Sequence, residues 1–226
     1  MKNLLFSLLI LLPSLAFSQF GDKEMYGYSR VGVGFSMRDI YYTSVLEGLA
    51  LESPVSTPLK LGSGISPEIG IGLMVIRRFF VEANIAYMTL NKNVNYSDQA
   101  TNYIYGYSFN RTSVGVNGVY LVDVEPSFVL DFSIGFDAVF PHDLVIITSQ
   151  GEDRIKYQAT AEVHAGFGGS FVRNNLVYGM GLRYRYEAFK TSANQGYPMN
   201  FISNNKFFEH LKIKGIDIVF TVKYLF

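Results

Sequence analysis

From residue 127 to 140 the chain alternates almost without interruption. Phe128, Leu130, Phe132, Ile134, Phe136, Ala138 and Phe140 are interleaved with Ser127, Val129, Asp131, Ser133, Gly135, Asp137 and Val139. Successive side chains of a strand point to opposite faces, so this segment predicts a strand with one greasy face and one small or charged face. The same pattern returns over 155–171, 176–188 and 215–226, and in weaker form over 26–37, 64–75, 80–90 and 111–122. That makes eight strands, most of them 11 residues or longer. Strands of soluble domains run to about 5–6 residues, whereas a tilted strand crossing a bilayer needs about 9–11.

The connectors alternate as well. Short links at 76–79, 123–125 and 172–175 are interspersed with long ones at 38–63, 91–110, 141–153 and 189–210. Short turns on one rim and long loops on the other are the layout of a membrane barrel, with both termini on the short-turn side. The expected fold is therefore all-β: a single eight-stranded antiparallel up-and-down transmembrane β-barrel. Ten strands result if 41–49 and 55–62 pair as additional strands, and a short helix over 44–52 fits that region equally well.

Composition narrows the function. The 226 residues are 49% hydrophobic and 17% charged, which excludes a disordered chain. Nineteen Lys+Arg balance nineteen Asp+Glu, leaving no basic excess for nucleic acid, and zero Cys removes disulfides, thiolate catalysis and Cys-based zinc sites together. Met1 and Lys2 precede an apolar run over 4–12, Pro13, and the small-x-small triplet Ala16-Phe17-Ser18. This reads as a signal peptide over 1–18, with one barrel domain over 19–226 and an exported protein without cytosolic cofactors.

A soluble barrel that binds a lipid-like ligand would show the same alternation with its apolar face inward. Charges and glycines argue for the opposite sense. Glu68, Glu82, Asp131, Asp137, Glu162, Glu187 and Asp217 share the small-polar face with Arg30, Arg111, Lys156, Arg183, Arg185 and Lys223, and that face is crowded with Gly. Such crowding suits a narrow lumen filled by paired charges. The expected network is Glu68, Glu82, Asp131, Glu162, His164, Arg183, Arg185, Glu187 and Asp217, which plugs the barrel; a narrow porin-like channel is the alternative. If the 172–175 turn sets the register, Glu162 faces Arg185 and His164 faces Arg183. Rings on the apolar face gather near strand ends, as expected of headgroup belts: Tyr120, Phe128, Phe171, Tyr178, Tyr224 and Phe226 toward the short turns, Phe35, Tyr87, Phe140, Tyr157 and Tyr186 toward the long loops. Tyr26 and Tyr28 fall on the inner parity, which implies a bulge or a later start for the first strand.

The last strand, Ile216-x-Ile218-x-Phe220-x-Val222-x-Tyr224-x-Phe226, completes a pattern that resembles the small outer-membrane β-barrel proteins of Gram-negative bacteria. These are the OmpA/OmpX-like and opacity-type barrel domains, and the Asn- and Tyr-rich loops resemble their Bacteroidota members. The resemblance spans 26–226 and implies an outer-membrane location, lipid as surroundings, and recognition of Phe220, Tyr224 and Phe226 by the barrel-assembly machinery. It extends to no peptidoglycan-binding domain.

Little chemistry stands out. Of the three histidines, His164 reads as an interior imidazole, while His142 and His210 lie near the loop rim with Asp143, Ser149 and Glu209 in no specific spacing. A metal site from His142, Asp143 and His210 would require two loops to converge, so no enzyme, no cofactor and no metal are expected. The loops offer Tyr96, Tyr103, Tyr105 and Tyr107 in one segment and Tyr197 and Phe201 in another. Exposed Tyr suits adaptable recognition of an extracellular ligand, and rings that prolong the strands above the membrane would look the same. The expected protein is a monomer with a structural or surface-interaction role.

Overall fold

The computed structural model describes residues 24–44, 55–93, 104–148, 151–192 and 208–226. The signal-peptide reading over 1–18 and residues 45–52 of the alternative helix lie outside them. The described strands are β1 (Met25–Ser36), β2 (Ile40–Ser44), β3 (Val55–Leu59), β4 (Gly64–Ile76), β5 (Phe79–Met88), β6 (Asn91–Asn93), β7 (Ile104–Ser108), β8 (Arg111–Glu125), β9 (Phe128–Pro141), β10 (Leu144–Thr148), β11 (Gly151–Ile155), β12 (Thr160–Arg173), β13 (Leu176–Lys190) and β14 (His210–Leu225). Eight of them close an antiparallel barrel in the order β1-β14-β13-β12-β9-β8-β5-β4. Apart from the β1–β14 closure, each barrel strand pairs with its neighbours along the chain, so the topology is up-and-down.

The alternation lands where the periodicity places it. Ile69, Ile71, Phe132, Ile134, Phe136 and Phe167 face outward and exposed, while Glu68, Glu82, Asp137, Glu162, Arg183, Arg185 and Asp217 are buried inside. β2 and β3 pair with each other in a separate hairpin, so the barrel has eight strands and not ten.

Strand β1 pairs with β14 and β4 from its first residues without a bulge. Tyr26 and Tyr28 therefore point into the lumen, contrary to the implied bulge, and the space comes from glycine. A Cβ on Gly72 would run into the Tyr26 ring, and one on Gly70 would meet Tyr28. The tyrosine hydroxyls then donate to Glu82 (2.7 Å) and Glu68 (3.1 Å). Gly72→Ala is expected to destabilise the barrel by about 1–3 kcal/mol, the usual cost of overpacking, read as a lower urea midpoint in detergent micelles.

Two further expectations are corrected. Strands β12 and β13 pair Glu162 with Glu187, His164 with Arg185 and Gly166 with Arg183, two residues away from the expected register. Asn174 takes the left-handed conformation (φ 55°) and Arg173 pairs with Leu176, which moves the turn one residue toward the C-terminus. Asn tolerates that conformation better than most residues. Secondly, β12 begins at Thr160 instead of 155. Ile155 and Tyr157 leave the outer face for an apolar cluster with Phe109 and Phe189, and Lys156 is exposed above the barrel instead of inside it.

On the long-loop side β6, β7, β10 and β11 form a four-stranded sheet in the order β11-β10-β7-β6, where periodicity indicates only loops. Its residues help to build a buried cluster that includes Leu61, Tyr107, Phe109, Leu144, Ile146, Phe189 and Leu211. A second cluster fills the barrel at the short-turn end with Tyr26, Phe80, Val119, Leu121, Val129, Val172, Val177 and Leu225. The charged interior lies between these two apolar layers.

Candidate functional site

Alternation puts one strand face inside, and the register decides which charges meet there. Arg183 of β13 bonds Glu68 (2.7 Å) and Asp217 (3.2 Å). Two residues on, Arg185 reaches Asp217 (2.7 Å), Glu187 (2.8 Å) and Glu162 (3.9 Å), and also donates to the Gly62 carbonyl at 3.0 Å. Arg111 closes on Glu187 at 2.8 Å and its other amine contacts Met88 Sδ. Toward the short turns Arg30 joins Glu68 (2.6 Å) and Glu82 (3.2 Å), and Lys223 reaches Glu82 at 3.4 Å. Asp131 accepts from Ser170 at 3.2 Å. The pairs thus share partners in a network that spans the lumen.

Burying so many ions is costly unless each is paired and hydrogen-bonded. Here Arg30, Arg183, Arg185, Glu68, Glu82, Glu187 and Asp217 each have two or more partners, which offsets their loss of water. Small cavities remain between the charged side chains of the lumen. One of about 40 Å³ lies by Arg30, Asn117, Asp131 and Lys223, and one of about 20 Å³ by Ser66, Asp137, Glu162 and Arg185. A water occupies roughly 10–15 Å³ on this measure, so the first has room for two or three and the second for one.

Outside, the belt residues separate. Tyr120, Phe171, Tyr178, Tyr224 and Phe226 are exposed near the short turns, and Phe35, Tyr87 and Phe140 near the loops; Tyr157 leaves the belt for the buried cluster. Phe220, Tyr224 and Phe226 of the terminal strand all face outward. Of the loop candidates, Tyr107 is corrected: it is 2% exposed and its hydroxyl accepts from the Lys60 amide at 2.9 Å, so it holds the cap together and is not available to a partner. Tyr105 lies on β7, its side chain outside the described set, and Tyr96, Tyr103, Tyr197 and Phe201 lie outside the described residues.

His142 is exposed and sits edge-on to Tyr87, and His210 opens β14 opposite Lys190. Among the described residues neither belongs to a three-ligand group. Among the described residues the group of that kind is Asp137, Glu162 and His164, all buried, with one ligand atom from each lying within 4.8 Å of the others. Parity places Asp137 in the lumen, but only the β9–β12 register, with Asp137 opposite Glu162, brings it to His164.

An apolar, exposed outer belt around a packed, charged interior is the reverse of a soluble barrel: the fold is that of a transmembrane β-barrel. No family model matches the sequence, and no curated protein matches it. Among solved structures the chain is similar to Neisserial surface protein A, with a TM-score of 0.52 at 14% identity over 89% of this chain and 97% of that one. It is similar to the outer membrane protein OprG from Pseudomonas aeruginosa, again with a TM-score of 0.52 at 14% identity, over 91% and 98%. The fold is that of the small eight-stranded outer-membrane barrels.

Proposed function

We propose that this chain is exported to the outer membrane of a Gram-negative bacterium and stands there as a monomer with a structural or surface-interaction role, its lumen closed and no reaction of its own. The observation that carries the reading is the filling of the barrel: a shared-ion network bounded at both ends by apolar clusters. An eight-stranded barrel is just wide enough for its own side chains. The fold likeness supports the membrane, and the outward Phe220, Tyr224 and Phe226 fit a terminal signal for the assembly machinery.

With the lumen occupied, the surface left for partners is the long-loop end, where the extracellular ligand would dock. A narrow channel would need a continuous polar path, whereas these lumen cavities hold only a few waters. Fractionation tests the setting. The protein is expected in the outer-membrane fraction with heat-modifiable gel mobility; recovery as a soluble periplasmic monomer would overturn the reading. Shortening 91–110 and 189–210 is expected to abolish a surface-binding phenotype while leaving that mobility shift intact, and loss of both together would make the loops structural.

A further inference from the structure

The lumen holds more acid than base. Among the described residues, besides the enclosed Arg78–Asp123 pair at the short-turn end, seven carboxylates, Glu68, Glu82, Asp131, Asp137, Glu162, Glu187 and Asp217, meet five cationic side chains, Arg30, Arg111, Arg183, Arg185 and Lys223. Two of these carboxylates have no cationic partner within 4.0 Å among the described residues: the half-buried Asp131, held by Ser170, and the buried Asp137. Asp137 and Glu162 are directly opposite on β9 and β12, 4% and 7% exposed, where like charges repel. Glu162 has His164 and a distant Arg185, but Asp137 has no cationic partner within 4.0 Å among the described residues, and its Oδ1 is buried without a hydrogen bond.

The histidine tautomer is dictated from further along the chain of contacts. The Asn117 amide nitrogen donates to Glu82 at 3.2 Å, which turns its carbonyl oxygen toward His164. That oxygen lies 2.8 Å from His164 Nε2, so Nε2 must carry the proton and donate. The other ring nitrogen, Nδ1, is left aimed at Glu162 Oε1 at 3.3 Å. In a neutral ring Nδ1 is a lone pair facing a carboxylate. Something positive belongs between them.

We propose that Asp137, Glu162 and His164 bind a divalent transition-metal ion of borderline softness, with zinc as the type case, inside the lumen. One imidazole nitrogen and two carboxylates are a donor set that zinc accepts, usually with a water as fourth ligand. Zinc–donor bonds of about 2.0–2.2 Å in a tetrahedron set donors roughly 3.3–3.6 Å apart, and His164 Nδ1 and Glu162 Oε1 already stand at 3.3 Å. The Asp137 carboxylate closes the remainder by side-chain rotation. The cavity lined by Asp137 and Glu162 has room for the water. Asn117 is the outer partner that fixes the ring, as metal-bound histidines usually have. Two glycines make the cradle: a Cβ on Gly135 would strike Asn117 and the His164 ring, and one on Gly115 would strike Asp137. The nearest opposing charges, Arg183 and Arg185, are engaged by Glu68, Glu187 and Asp217.

The test is metal titration of the full chain folded in detergent, with cobalt(II) or zinc supplied both during and after folding. One cobalt per chain is expected, giving the visible absorption of a four-coordinate site and displaced by zinc. Asp137→Asn and Glu162→Gln should each weaken binding at least tenfold, while His142→Ala and His210→Ala should leave it unchanged; heat-modifiable mobility checks that each variant is folded. Absence of stoichiometric binding, or binding that follows the loop histidines, overturns the proposal. Should the carboxylate variants not fold, nitrogen NMR of the unaltered chain decides: zinc must move the His164 Nδ1 resonance to a metal-bound position, and a ring protonated on both nitrogens in excess zinc refutes it.

Discussion

Arg185→Ala is expected to destabilise the barrel by about 3–5 kcal/mol, the range seen when one member of a buried ion network is removed. The guanidinium is 2% exposed and joins Asp217, Glu187 and the Gly62 carbonyl, so it links β13 to β14 and to the segment that precedes β4. Its deletion leaves Asp217 and Glu187 partly uncompensated and removes the more distant cation from Glu162. Asp217 keeps Arg183 and Glu187 keeps Arg111, which places the cost toward the lower end of that range. Arg185→Lys should recover only part of the loss, because a single ammonium cannot reproduce the fork that spans both oxygens of Asp217. Urea unfolding in lipid vesicles, followed by gel mobility, measures both. A loss below about 1 kcal/mol for the alanine variant would mean that the network is a wet, screened surface.

The second large effect lies on the opposite face. Ile134 is 66% exposed at the middle of β9, and Ile134→Arg should cost about 2–4 kcal/mol in a bilayer, the penalty for arginine on a lipid face near the midplane. On a soluble barrel the same exposed position would tolerate arginine within about 0.5 kcal/mol. The measurement is again unfolding in vesicles, and a neutral substitution would remove lipid from the account.

The eight barrel strands were legible because a strand with lipid on one side and a charged lumen on the other must keep strict parity over its whole length. Residues such as Glu68, Arg183 and Asp217 could be assigned to the inside from parity alone. Register was not legible in the same way. A two-residue turn at 173–174 or at 174–175 satisfies the alternation equally, and only the left-handed Asn174 selects the second. That one-residue difference moves His164 from facing Arg183 to facing Arg185.

The loop-side sheet escaped detection for another reason. β6, β7, β10 and β11 are 3 to 5 residues long, too short for periodicity to register. Ile155 and Tyr157 happen to continue the parity of β12, so they read as lipid-facing although the cap buries them. The short-turn seal was hidden by its position. Val119, Leu121, Val129, Val172 and Val177 occupy the inner parity, where the eye expects charge, and their role emerges only once the strand ends converge on Tyr26 and Phe80.

The proposed closure of the barrel rests on the ion network between its two apolar layers. Planar-bilayer recording of the folded chain, with incorporation verified by gel mobility, tests it most directly. No steady openings above the bare-membrane baseline are expected; reproducible, voltage-independent conductance steps from the unaltered protein would mean an open lumen.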